Sequence, residues 1–179
     1  IDPLIIFFFL YAILAWRSVP VALSVLIGLL PAYLLRFNIG PLPSTALEGM
    51  ILIVALAWVR ILWRDRANWP ARRKHLRTSA FFLPGCALVL ASLVAVFVAP
   101  DLRAALGIWR AYFVEPFLVY LMIVDICVTT KDRQRLINAL GMTVLGLTAI
   151  ADLQRLTGWW SPTWEWTLPE SRRVTGLFT

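Results

Sequence analysis

Six long apolar runs, separated by short polar connections, constrain this chain more than any other feature. They cover residues 1–16, 19–35, 44–63, 80–99, 106–128 and 136–153. A helix needs about 20 residues to cross the hydrocarbon core of a bilayer, and all but the first run come close to that length. Lipid offers no hydrogen bonds, so a spanning segment must satisfy its own backbone, as a helix does. Composition points the same way. The chain is 60% hydrophobic and 15% charged, whereas soluble domains run at about 45–50% and about 25%. The predicted fold is all-α: a polytopic integral membrane helical bundle of about six transmembrane helices over residues 1–156. Residues 157–179 then begin an outer-face segment. The chain opens on Ile1 and closes on Thr179, without a signal peptide's charged leader and cleavage site, so both ends read as cut.

The net charge of +7 is unevenly spread. Arg17, the stretch from Arg60 to Arg77 with its seven Lys/Arg, and Lys131, Arg133 and Arg135 fall in alternate connections. Arg36, Arg103, Arg110, Arg155, Arg172 and Arg173 fall on the other side. The positive-inside bias places the first set in the cytoplasm and the second outside. A basic cluster held between two apolar runs speaks for a membrane surface and against nucleic acid. Cys86 and Cys127 each lie within an apolar run and read as small packing residues.

Charge at membrane depth is costly and asks for a reason. Glu48 completes a Thr45-x-x-Glu48 capping box. At about 1.5 Å of rise per residue, Glu48 and Arg110 also lie at similar depths, roughly 6 Å below the outer entrance of their runs, and can pair between helices. Both readings stand. Glu115, about 13 Å below that entrance, precedes Pro116, which cannot donate to the carbonyl of Tyr112 and should disturb the helix. It is either an element of a site or a protonated acid bonded to a neighbouring helix. Arg110 and Glu115, five apart, do not face each other on an α-helix. Asp125 lies near the cytoplasmic end, in reach of water. His75, the single histidine, falls in the basic connection and reads as solvated surface. No phosphate loop, nucleophile elbow or metal-ligand spacing occurs, so neither cofactor nor metal is expected.

The tail carries Trp159, Trp160, Trp164 and Trp166, interfacial types, followed by Arg172 and Arg173. Two guanidinium groups on the outer side suit phosphate through paired hydrogen bonds, or attract anionic headgroups.

Arg172-Arg173-Val174-Thr175-Gly176-Leu177-Phe178-Thr179 resembles the start of a motif in the O-antigen ligase and polymerase family, whose Pro-Asn would fall just after Thr179. Leu42-Pro43-Ser44 with Glu48, and Trp109-Arg110-Ala111-Tyr112-Phe113 with Glu115-Pro116, are similar to the N-terminal half of bacterial members. The resemblance implies a multi-pass glycosyltransferase of the bacterial cytoplasmic (inner) membrane. Its donor would be an undecaprenyl-diphosphate-linked glycan, and its acceptor a glycan or the lipid A-core, with membrane lipid around it and no metal. It implies that Arg172 or Arg173 holds the diphosphate. The outer-loop histidine that the family uses as base has no counterpart here, so these residues by themselves are expected to be inactive. Ligation and polymerisation stay equally open. A transporter or flippase of lipid-linked substrate, or a non-catalytic membrane scaffold, are the alternatives.

Overall fold

The computed structural model describes residues 3–39 and 42–158 and is built almost wholly of helices. In chain order they are α1 (Pro3–Arg17), α2 (Val19–Gly28), α3 (Ala46–Arg64), α4 (Trp69–Thr78), α5 (Phe82–Val98), α6 (Leu102–Trp109), α7 (Glu115–Ile126) and α8 (Thr130–Thr157). Between α2 and α3 runs an antiparallel pair of short strands, β1 (Arg36–Ile39) and β2 (Leu42–Thr45), with Arg36 opposite Thr45. Among the described residues, this pair is the one departure from the all-α expectation. Three helical stretches are long and apolar enough to cross a membrane: Ala46–Arg64, Leu102–Ile126 and Thr130–Thr157. A fourth span results if the bent pair Arg66–Thr78 and Phe82–Val98 counts as one. These lengths and compositions are those of a multi-pass membrane protein.

Each of the six runs forms helix, but the boundaries move for identifiable reasons. The run 19–35 does not stay one helix. α2 ends at Gly28 and a 3-10 turn follows over Leu30–Leu34. Pro31 has no N–H for the carbonyl of Ile27, and the hydroxyl of Thr143 on α8 approaches that end instead, 2.8 Å from the carbonyl of Gly28 and 3.3 Å from that of Ile27. The break between α1 and α2 follows the same logic. Pro20 cannot donate to the carbonyl of Trp16, and Nη2 of Arg60 on α3 does so at 2.8 Å, with its guanidinium 4.5 Å from the Trp16 ring centroid. The run 136–153 extends to 28 residues, because Thr129 caps the Asp132 amide at one end and Gly158 (φ 70°) turns the chain out at the other. The basic connection, read as a loop, contains α4. Pro70 sits in its first turn, and Leu76 is its buried residue.

The core lies between α1, α2, α3 and α7. Tyr11 and Ala15 meet Ala22, Leu23 and Leu26, and these meet Met50, Val54, Ala57 and Met122. Alanines at facing positions let backbones approach closely where no hydrophobic effect drives helices together. The Tyr11 hydroxyl donates to the carbonyl of Ala22 at 2.9 Å. By contrast, α5 buries Val96 and α8 buries Gln154, while α6 buries nothing. Cys86 and Cys127 are both free thiols.

Candidate functional site: a charged cleft at one end of the bundle

The strand pair, the first turn of α3 and the junction of α6 with α7 enclose a cleft of about 540 Å³. Its walls include Tyr33, Arg36, Ser44, Glu48, Arg110, Tyr112 and Glu115. Glu48 reaches this position as the N3 residue of α3. Thr45 Oγ1 accepts from the Glu48 amide at 3.2 Å, and Glu48 Oε2 lies 3.4 Å from the Thr45 amide, completing the capping box. The same Oε2 accepts from Arg110 Nη2 at 2.7 Å. The two sequence readings of Glu48 therefore hold together: one carboxylate closes the helix end and pairs across to the next span.

Arg110 and Glu115 come together too, against the α-helical expectation. Five residues correspond to about 140° around an α-helix. Here Arg110–Val114 forms a π turn, in which the Glu115 amide donates to the carbonyl of Arg110, an i to i+5 bond. The widened turn stacks the two side chains, and Arg110 Nε lies 3.2 Å from Glu115 Oε1. The disturbance expected from Pro116 takes this form, within a span continuous from Leu102 to Ile126.

One guanidinium thus sits between two carboxylates. Their side chains are 14% and 15% exposed and that of Arg110 is 43% exposed, so the cluster opens into the cleft rather than into the core. Although Nε of Arg110 is close to Glu115, its N–H is not directed at that oxygen and has no hydrogen-bond acceptor among the described residues. An unused donor at a buried position is costly, and Arg60 Nε carries the same cost elsewhere in the bundle. Arg36, at the rim, is exposed and makes no ion pair among the described residues. The sequence reading passed over Arg36, although it is one of few cations assigned to the outer side. Arg172 and Arg173 lie outside the described residues, as do the four tryptophans of the tail.

At the other end of the bundle the structure corrects one reading. Asp125 is not in reach of water: its side chain is 2% exposed. Trp58 Nε1 donates to its Oδ2 at 2.7 Å and Arg72 Nη1 at 2.8 Å, while Arg72 also binds Asp65 through Nε and Nη2 at 3.2 and 3.0 Å. His75 is exposed as expected, with Nε2 3.2 Å from the carbonyl of Val124. Among the described residues, no group of three His, Cys, Asp or Glu is placed to hold a metal ion. In comparisons with family profiles, curated proteins and solved structures, nothing matches the chain.

Proposed function

We propose that the chain is part of a membrane glycosyltransferase of the O-antigen ligase and polymerase type, with six spans in the bacterial inner membrane. It would transfer or polymerise an undecaprenyl-diphosphate-linked glycan on the outer face. One observation carries the reading. Two of the three segments that carry the resemblance, 42–48 and 109–116, are some sixty residues apart, and Ser44, Glu48, Arg110 and Tyr112 from them line one charged cleft. In such a transfer an acceptor hydroxyl attacks the anomeric carbon. The bond from that carbon to the diphosphate oxygen breaks, its electron pair leaves with the diphosphate, and the hydroxyl proton passes to a base. Cations fixed where the leaving charge develops lower the barrier. Arg172 and Arg173 take that role by resemblance, and Arg36 lies at the cleft rim to assist. Glu115 and the exposed part of the Arg110 guanidinium suit the hydroxyl groups of a sugar, one accepting and one donating.

The test is glycan transfer by the intact gene product in membranes, with Arg172→Ala/Arg173→Ala. Loss of transfer with the folded protein retained supports the assignment. Undiminished transfer by the double variant refutes it.

One observation favours a transporter or flippase instead. α1 and α2, of 15 and 10 residues, are short and meet at a break, as in the discontinuous helices of transporters. Movement of a lipid-linked glycan across vesicles without transfer would select that reading.

A further inference from the structure

The basic connection between α3 and α5 does more than join them. The stretch Arg66–Thr78 is bent by 78° from α5, so with α5 along the membrane normal α4 runs nearly parallel to the surface. One face of α4 is fastened to α7. Arg72 binds Asp125, His75 meets the carbonyl of Val124, and beyond the helix the Ser79 hydroxyl lies 2.6 Å from that of Tyr120. The opposite face presents Arg73, Lys74 and Arg77, all exposed. None of the three forms an ion pair among the described residues. The neighbouring acids, Asp65 and Asp125, are both taken by Arg72. The three cations line a crevice of about 380 Å³ with Trp69. Trp69 also lines a second groove, of about 430 Å³, with Val59, Leu62 and Trp63 of α3 and with Arg66, whose guanidinium lies 4.8 Å over the Trp63 ring. The site therefore has a cationic half and an apolar half, sharing one interfacial tryptophan.

We infer that α4 and the end of α3 form a binding site for an anionic phospholipid. Its phosphodiester would sit among Arg73, Lys74 and Arg77, and one acyl chain along Val59, Leu62 and Trp63. Charge complementarity argues for the headgroup. A basic side chain near an anionic leaflet contributes about 1 kcal/mol, or roughly fivefold in affinity. The fastening of α4 argues for a defined site, because the cations are held in place before the lipid arrives. The inference does not depend on the transfer reading.

Native mass spectrometry of the purified chain in detergent, with phosphatidylglycerol or phosphatidylcholine added, tests it. The chain should retain phosphatidylglycerol preferentially. Arg73→Gln/Lys74→Gln/Arg77→Gln should weaken that retention by about tenfold to a hundredfold, with helical circular dichroism unchanged. Arg17→Gln/Lys131→Gln/Arg135→Gln, which removes three cations elsewhere on the same side, should leave it intact, and Arg73→Lys/Arg77→Lys should keep most of it. Equal losses in both triple glutamine variants would overturn the site in favour of general attraction to the leaflet. Inorganic phosphate binding as tightly as the lipid would overturn the acyl half.

Discussion

Among the described residues, two charged networks that tie helices together sit at opposite ends of α3 and of the span 102–126, and they are built differently. At one end Asp125 is closed off by Trp58 and Arg72, with its partners in place. At the other Arg110 lies between Glu48 and Glu115, half open to a cleft, with one N–H left unused. A closed network leaves no group for a ligand and serves to fix the chain's path. An open one is less economical as a fastening but keeps donors and acceptors free for something that binds. The difference in closure distinguishes the two networks where cost alone does not, since both are expensive at membrane depth, and it makes the open cluster the candidate for binding.

The comparison is most exposed at Asp125. Asp125→Ala leaves Arg72 Nη1 and the Trp58 N–H without their acceptor, while Arg72 keeps Asp65, and each stranded donor costs about 1–3 kcal/mol. Thermal unfolding in detergent should show a large loss of stability. If Asp125→Ala were as stable as the parent, this network would not be structural. Glu115→Gln should do the reverse: the amide oxygen can still face Arg110, which keeps Glu48 as its partner, so stability should change by less than about 1 kcal/mol, while the proposed transfer by the intact protein falls at least about tenfold. Equal effects of the two substitutions on stability would erase the distinction. Glu48→Ala belongs between them, since it opens the capping box and the bridge to Arg110, a loss of about 1 kcal/mol. Glu48→Gln keeps the hydrogen bond to the Thr45 amide and should recover part of it. The smallest effect on folding is expected at Arg36. Arg36→Gln should leave unfolding within about 0.5 kcal/mol, so any change in transfer reports on the cleft itself.

What could be read from residues alone divides along a similar line. Hydropathy located all six helical runs, because lipid demands long apolar stretches whatever packs against them. Depth alone brought Glu48 to Arg110, because both enter from the same side and the rise per residue is constant. Arg110 and Glu115 could not be matched that way. Their meeting needs a π turn, and α-helical periodicity contains no sign of one, although Pro116 marks where it falls. The burial of Asp125 was hidden for another reason. Its partner Arg72 lies 53 residues away in a stretch that reads as a charged loop. The signals for α4 were present, in Asn68 and Pro70 at its start and His75 and Arg77 in its last turn, but ten residues offer too short a period to stand out. Likewise Thr129 and Asp132 announced the early start of α8, a capping signature set among charges.

The prolines at 20 and 31 have a consequence for how such a chain can change over time. At each, a carbonyl deprived of its helical donor is approached by a side chain from another helix, Arg60 at Trp16 and Thr143 at Ile27. Restoring the amide at either proline leaves a polar side chain without its purpose. Losing the side chain leaves the carbonyl without that donor. Each proline is therefore tied to one distant partner, and in related sequences the members of each couple should be kept or exchanged together. A lineage that replaced Pro20 would then be free to lose Arg60, and one that lost Thr143 should be found without Pro31.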